Sequence, residues 1–177
     1  LLNNKAIDQI PIHLRSKEGL GYLPQQRSVF NMSVYDNILG VAQISIKGID
    51  KQKEITEKLL DEFNLQHLRS LNANVLSGGE LRRLMMARVM INDPKVVLLD
   101  EPYAALDPLI IQDISKYILS IQAKKTSIIV SDHNVKNLFD IVDRAYVLGS
   151  QGVIAEGTPR ELLKSSKAVE SYFGSNF

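Results

Sequence analysis

The chain has 177 residues, 45% of them hydrophobic and 23% charged, with 21 basic and 20 acidic side chains and a formal net charge of +1. A chain of this size buries about 70% of its unfolded surface and needs no staples. The even charge argues against a broad nucleic-acid-binding face, which depends on clustered Lys and Arg. The absence of cysteine excludes disulfides, thiolate metal sites and thiol catalysis. No apolar stretch approaches the ~20 residues of a membrane helix, and no signal-peptide pattern opens the sequence.

Residues 1–18 read as polar and irregular, with Pro11 among them. Residues 20–23 predict a short strand ending at Pro24. Ser33 and Asp36 have the spacing of a capping box, and Val34, Ile38, Leu39 and Ala42 give a helical apolar face behind it. Gly48 and Asp50 mark a loop. Residues 51–64 are amphipathic, with Ile55, Leu59, Leu60 and Phe63 on one side. Ser77 caps the next helix, and Glu80, three residues on, closes its box. That helix runs through Leu84, Met85 and Val89 until Asp93-Pro94 stops it.

The pattern then changes. Val96-Val97-Leu98-Leu99 is a continuous apolar run, as in a parallel strand buried on both faces. Asp107 is an N-cap with Pro108 at the first helical position, and Ile110, Ile111, Ile114, Tyr117, Ile118 and Ile121 mark the helix. A second buried strand is expected at 127–131, then a helix carrying Val135, Leu138, Phe139 and Val142. Residues 145–148 and 153–155 bracket a Ser150-Gln151-Gly152 turn as a hairpin. Thr158-Pro159-Arg160-Glu161 opens the last helix with another capping box. Alternating strands and helices predict an α/β domain with a mostly parallel core sheet. Residues 26–92 are expected to form a mainly helical subdomain, with 1–25 and 93–177 making the core lobe.

Two segments carry chemistry. Asp100-Glu101 follows a buried strand, where ligands of α/β sheets sit. There Asp100 can orient Mg²⁺ through water, and Glu101 can polarise an attacking water as a general base. Ser77-Gly78-Gly79-Glu80 begins a helix whose free N–H groups can face an anion. Taken singly, the first also fits any polar loop after a strand, and the second an ordinary capped helix.

Together these segments resemble the ABC ATPase family, in the family's order and through nearly the whole chain. Gln25 matches the Q-loop glutamine, and Ser77-Gly78-Gly79-Glu80 the signature motif, with glutamate for the commoner glutamine. Residues 96–101 match Walker B and the catalytic glutamate, Ala105-Leu106-Asp107 the D-loop, and His133 the switch histidine. The resemblance implies a P-loop NTPase-like fold that binds and hydrolyses ATP with Mg²⁺. It implies that Gln25 contacts metal or water, Asp100 supports Mg²⁺, Glu101 activates water and His133 bonds the γ-phosphate. Ser77, Gly78, Gly79 and Glu80 would clamp the γ-phosphate held by a second copy, and Asp107 would cross that homodimer interface.

Within the family the sequence is most similar to lipopolysaccharide-export ATPases, on Gly21-Tyr22-Leu23-Pro24-Gln25, Ser33-Val34-Tyr35-Asp36-Asn37, Asp100-Glu101-Pro102-Tyr103, Asp132-His133-Asn134-Val135 and Glu156-Gly157-Thr158-Pro159. It departs at Leu81, where those ATPases usually carry arginine. This likeness implies a peripheral protein on the cytoplasmic face of the inner membrane, paired under two transmembrane permeases, with the helix at 33–43 as the permease contact. A branched-chain amino-acid importer ATPase and a degenerate, non-catalytic half-domain are the alternatives. The family also needs a Gly-x-x-x-x-Gly-Lys-Ser/Thr loop whose amides and lysine cradle the phosphates. None of the ten glycines here is followed by lysine, and residue 1 is Leu. The expectation is therefore a piece of a longer or truncated reading frame, inactive as an ATPase by itself and exposing a sheet edge.

Overall fold

In the computed structural model, which describes residues 1–2, 4–149 and 152–165, strands β1 (Leu20–Leu23), β2 (Val96–Asp100) and β3 (Ser127–Ser131) form a parallel sheet in the order β1-β2-β3. The register aligns Leu23 with Leu99 and Leu99 with Val130, so all three strands end side by side. Between β1 and β2 every described element is helical: α2 (Val34–Ser45), α3 (Ile49–Glu62), two 3-10 turns and α4 (Gly78–Met90). Helix α5 (Pro108–Ala123) joins β2 to β3. The amino-terminal segment is less irregular than expected. It holds a short helix α1 (Ile12–Arg15) and a 3-10 turn, because Pro11 is tolerated just before a helix start.

Two compact units divide the chain, Leu1–His133 and Asn134–Phe177. In the first, one sheet face is closed. Leu23, Val97 and Leu99 are buried there, under α4. Gly21 permits this approach, since a Cβ at that position would lie 2.6 Å from Val89 Cγ1. Farther out, α3 and α4 bury Leu59, Leu60, Phe63, Leu84 and Met86. Each such side chain contributes roughly 1.5–3 kcal/mol. Phe63 stacks on Tyr117 of α5 at 5.4 Å between ring centroids.

The opposite sheet face is open, which corrects the reading of β2 and β3 as strands buried on both sides. Ile129 is 62% exposed and Tyr22 52%, and Leu98 between them is half-buried. An apolar run sets the strand, but burial depends on what covers each face. Here only one face meets α4, and β3 is an edge strand.

Polar caps set the helix starts. Ser33 accepts from the Asp36 amide and donates to its carboxylate, so that box is one-sided rather than reciprocal. Behind it, fully buried Asn37 accepts from the Phe30 amide and donates to the carbonyls of Phe30, Met32 and Ser33. Four satisfied bonds let an amide sit in the core and pin the loop that enters α2.

The second unit holds α6 (Val135–Phe139), the hairpin β4 (Ala145–Gly149) and β5 (Gly152–Gly157), and α7 (Pro159–Leu162). Its small core is Val147 and Leu162, with Val135, Phe139, Ala145, Ile154 and Ala155 against them. The hairpin register shifts between Val147 and Leu148. Ser150 and Gln151 of the expected turn lie outside the described residues. The Thr158–Glu161 capping box is reciprocal, and Asn134 caps α6, which is shorter than the pattern through Val142 suggested.

Candidate functional site

The carboxyl ends of the three parallel strands bring together Gln25, Asp100, Glu101 and His133. Gln25 Nε2 donates to Glu101 Oε2 at 2.6 Å. His133 Nδ1 stands 3.8 Å from that same oxygen and 3.7 Å from Asp132 Oδ1. The imidazole is open to solvent, with 71% of its side chain exposed, whereas Glu101 is 33% exposed. One carboxylate oxygen is thus shared between an amide donor and a nearby imidazole.

Asp100 is held from both sides. Ser131 Oγ donates to its Oδ1 at 2.9 Å, and the Tyr22 hydroxyl donates to its Oδ2 at 3.2 Å. Partial desolvation, then the bond to Asp100 and its negative charge, push the Tyr22 phenol above its ordinary value. Glu101 leaves the strand with φ of 44°, and its amide donates to the Ser131 carbonyl at 2.7 Å. A left-handed backbone at a residue other than glycine, asparagine or aspartate costs about 1–3 kcal/mol and clusters at functional sites. The segment beyond is fixed by Asp132, whose Oδ2 accepts from the Tyr103 amide at 3.0 Å.

A second group gathers at the starts of α4 and α5. Ser77 and Glu80 form a reciprocal capping box: the Ser77 amide and hydroxyl donate to Glu80 Oε2 at 2.8 and 2.6 Å. Bonding from the Ser77 side chain first, then from its backbone, with Arg83 and His67 adding smaller electrostatic help, holds the Glu80 carboxyl below its usual range. Gly79 meets α5 closely, since a Cβ there would lie 2.7 Å from Ile110 Cγ2, and one at Gly78 would lie 3.2 Å from Leu106. Asp107 caps α5 by accepting from the Leu109 and Ile110 amides at 3.0 and 3.1 Å. Ser77, Gly78, Gly79, Glu80 and Asp107 are therefore neighbours of one another. No hydrogen bond among the described residues ties them to the Gln25–Glu101 group.

The loop carrying Gln25 is strapped to α4. Buried Arg82 donates to the Pro24 carbonyl at 3.4 Å, and Arg88 donates to the Ser28 carbonyl while lying over the Phe30 ring. Arg27 donates to the Ala73 carbonyl at 2.7 Å. Burial lowers the affinity of Arg82 and Arg88 for their protons, opposed at Arg82 by Asp132. Sequence reading missed Tyr22, Ser131, Asp132, Arg82 and Arg88. Only the first had a signal, its two-residue spacing from Pro24 in a strand, and the register was needed to place it beside Asp100.

The carboxylates of Asp100 and Glu101 and the side-chain carbonyl of Gln25 are hard oxygen donors of the kind that suits Mg²⁺. No group of three or more His, Cys, Asp or Glu side chains among the described residues is placed to hold a metal by itself. An ion here would fill its shell with water and phosphate oxygens, as Mg²⁺ commonly does.

A parallel sheet with these groups at its strand ends defines an ATP-binding cassette domain. It superposes on cbiO1 of Clostridium perfringens, part of the ABC transporter complex cbiONQ, with a TM-score of 0.84 and 27% identity over 96% of this chain and 69% of that one. The ADP conformation of MJ1267, an ATP-binding cassette of an ABC transporter, gives 0.82 and 28% over 97% of this chain and 75% of that one. The chain belongs to the ABC transporter ATP-binding family, whose sequence pattern matches residues 1–104. It is 36% identical to the lipopolysaccharide export system ATP-binding protein LptB of Haemophilus influenzae and to that of Escherichia coli K12, over all of this chain and 74% of each relative. Identity to LptB of Acidithiobacillus ferridurans is 38%, over 99% of this chain and 73% of the relative. Membership implies nucleotide binding.

Proposed function

We propose that the chain carries the catalytic and trans-acting groups of the ATP-hydrolysing subunit of a lipopolysaccharide exporter, on the convergence of Gln25, Glu101 and His133 beside Asp100, and is inactive without a Gly-Lys phosphate cradle, which these 177 residues lack. Similarity to LptB proteins along the whole chain supports the transported substrate. In this reading the subunit sits at the cytoplasmic face of the inner membrane and pairs with a second copy under two transmembrane permeases. No described helix is long and apolar enough to cross a membrane itself.

Glu101 polarises the attacking water through Oε2, the oxygen that Gln25 occupies in this structure. A carboxylate offers about four acceptor sites, so this bond orients Glu101 without blocking it as a base and links the Gln25 loop to the site. In this reading His133, whose side chain is 71% exposed, turns from Glu101 toward a terminal phosphate oxygen. Asp100, oriented by Ser131 and Tyr22, would hold Mg²⁺ through water. Bound Mg²⁺ neutralises charge on the phosphate oxygens. Ser77, Gly78, Gly79 and Glu80 present the start of α4 to the nucleotide of the second copy, with Asp107 beside them at the interface. The helical segment 26–92 acts as a subdomain against the core lobe of 1–25 and 93–177, and α2 contacts the permeases.

The test uses the protein as its own genome encodes it, purified with its membrane partners into lipopolysaccharide-containing nanodiscs. Glu101→Gln lowers kcat by about 10²–10⁴-fold with nucleotide affinity retained, and lipopolysaccharide release stops with it. Turnover that survives Glu101→Gln overturns the catalytic assignment. Hydrolysis that is normal but moves no lipopolysaccharide overturns the substrate.

A further inference from the structure

Helices α3, α4 and α5 enclose a cleft of about 1060 Å³ that none of the site residues line. Its volume matches that of pockets for small organic ligands. Leu59, Met90 and Ile91 are buried in its wall, and Ile55 and Tyr117 extend the apolar surface. Four cations and three carboxylates also line it. Lys116 pairs with Asp113 at 2.9 Å, and Lys124 pairs with Glu62. That leaves Lys58 and Arg83 against the exposed Asp93. Arg83 Nε is buried and has no hydrogen-bond partner. Arg83 as a whole is half-buried, and among the described residues no ion pair engages it or Lys58, so their two charges are the ones left for an anion in the cleft.

We infer that this cleft is a second binding site, for a small amphipathic anion whose carboxylate or phosphate meets Arg83 and Lys58 and whose apolar body lies on Leu59, Met90, Ile91 and Tyr117. An occupant would tie α3 and α4 to α5, the latter two being the helices that Ser77 and Asp107 cap. The site is separate from the nucleotide groups, so its existence does not depend on the proposed activity.

The experiment is calorimetric titration of the full chain without nucleotide, with octanoate, octyl phosphate, octanol and octylammonium as probes, and NMR of Tyr117 and Ile91 to place them. Octanoate, octyl phosphate or both bind and shift those signals, the difference between the two naming the preferred headgroup. Octanol and octylammonium bind at least about ten-fold more weakly, the equivalent of one charge-assisted hydrogen bond. Arg83→Gln weakens the anions by about ten-fold or more, and Ser120→Trp, at an exposed lining position, blocks all probes. Thermal melts confirm that each variant is folded. The inference is overturned if octanol matches the anions, if folded Arg83→Gln binds them undiminished, or if neither anion binds the native chain at millimolar concentration.

Discussion

The guanidinium of Arg88 lies 4.6 Å from the centre of the Phe30 ring, joining the last turn of α4 to the loop that follows Gln25. The same side chain donates to the Ser28 carbonyl, so one residue grips the loop through charge, ring and backbone. Together with Arg82 at Pro24 it fastens the loop around Gln25 to α4 rather than leaving it a free connection. Motion of α4 would carry the Gln25 amide toward or away from Glu101.

Arg88→Met keeps the stem packing but loses both polar contacts. Global stability falls by about 1–3 kcal/mol in urea melts. Hydrogen exchange at residues 26–30 quickens more than in β2. Equal exchange in the variant and the native chain would show that the loop is held by other contacts.

Glu101 sits at φ of 44°, a conformation that asparagine tolerates and β-branched residues do not. Glu101→Asn therefore leaves the melting midpoint near its native value, while Glu101→Val lowers stability by about 1–3 kcal/mol. If Glu101 is the base as proposed, both also lose turnover in the full-length subunit. Matching stabilities for the two variants would mean that the left-handed turn is not kept in solution.

Gly79 is where α4 approaches Ile110 of α5. Gly79→Ala places a methyl 2.7 Å from Ile110 Cγ2 and is expected to destabilise by about 1–3 kcal/mol. Adding Ile110→Ala makes room, so the double variant recovers part of that loss in a mutant cycle. Simple additivity of the two changes would show that Ile110 already moves aside. Gly79 then serves the packing of α4 against α5.

Glu80 gives a pH signature. Its folded carboxyl is held below its ordinary range by the bonds from Ser77 and, less, by Arg83. A depressed folded pKa contributes stability above the unfolded value, and that stability is lost as pH falls through the folded one. Acid unfolding curves of Glu80→Gln should thus be flatter than native ones below about pH 4.5 and lower above it. Parallel curves for the two proteins would show that the capping box is absent in solution.

The caps at Ser77, Asp107 and Thr158 and the strand at 96–100 were legible because they rest on near-neighbour rules: a hydroxyl or carboxylate three residues from its amide, an apolar run before an acidic pair. The motifs at Gln25, Ser77–Glu80, Val96–Glu101, Ala105–Asp107 and His133 stood in the family's order along the chain. That order also identified the family, which the match over residues 1–104 then showed.

Other features had no local rule. Burial of a strand face depends on what packs over it, so the same apolar pattern yields a covered Leu99 and an exposed Ile129. Register decides that Tyr22 and Ser131 reach Asp100, because hydrogen bonding across 78 and 31 residues leaves no periodic trace in the chain. The Arg88–Phe30 contact joins residues 58 positions apart, and the cleft around Arg83 exists only once three helices pack. Short-range sterics and hydrogen bonding placed the chemistry along the chain, while long-range packing decided which groups meet and which donor is left open.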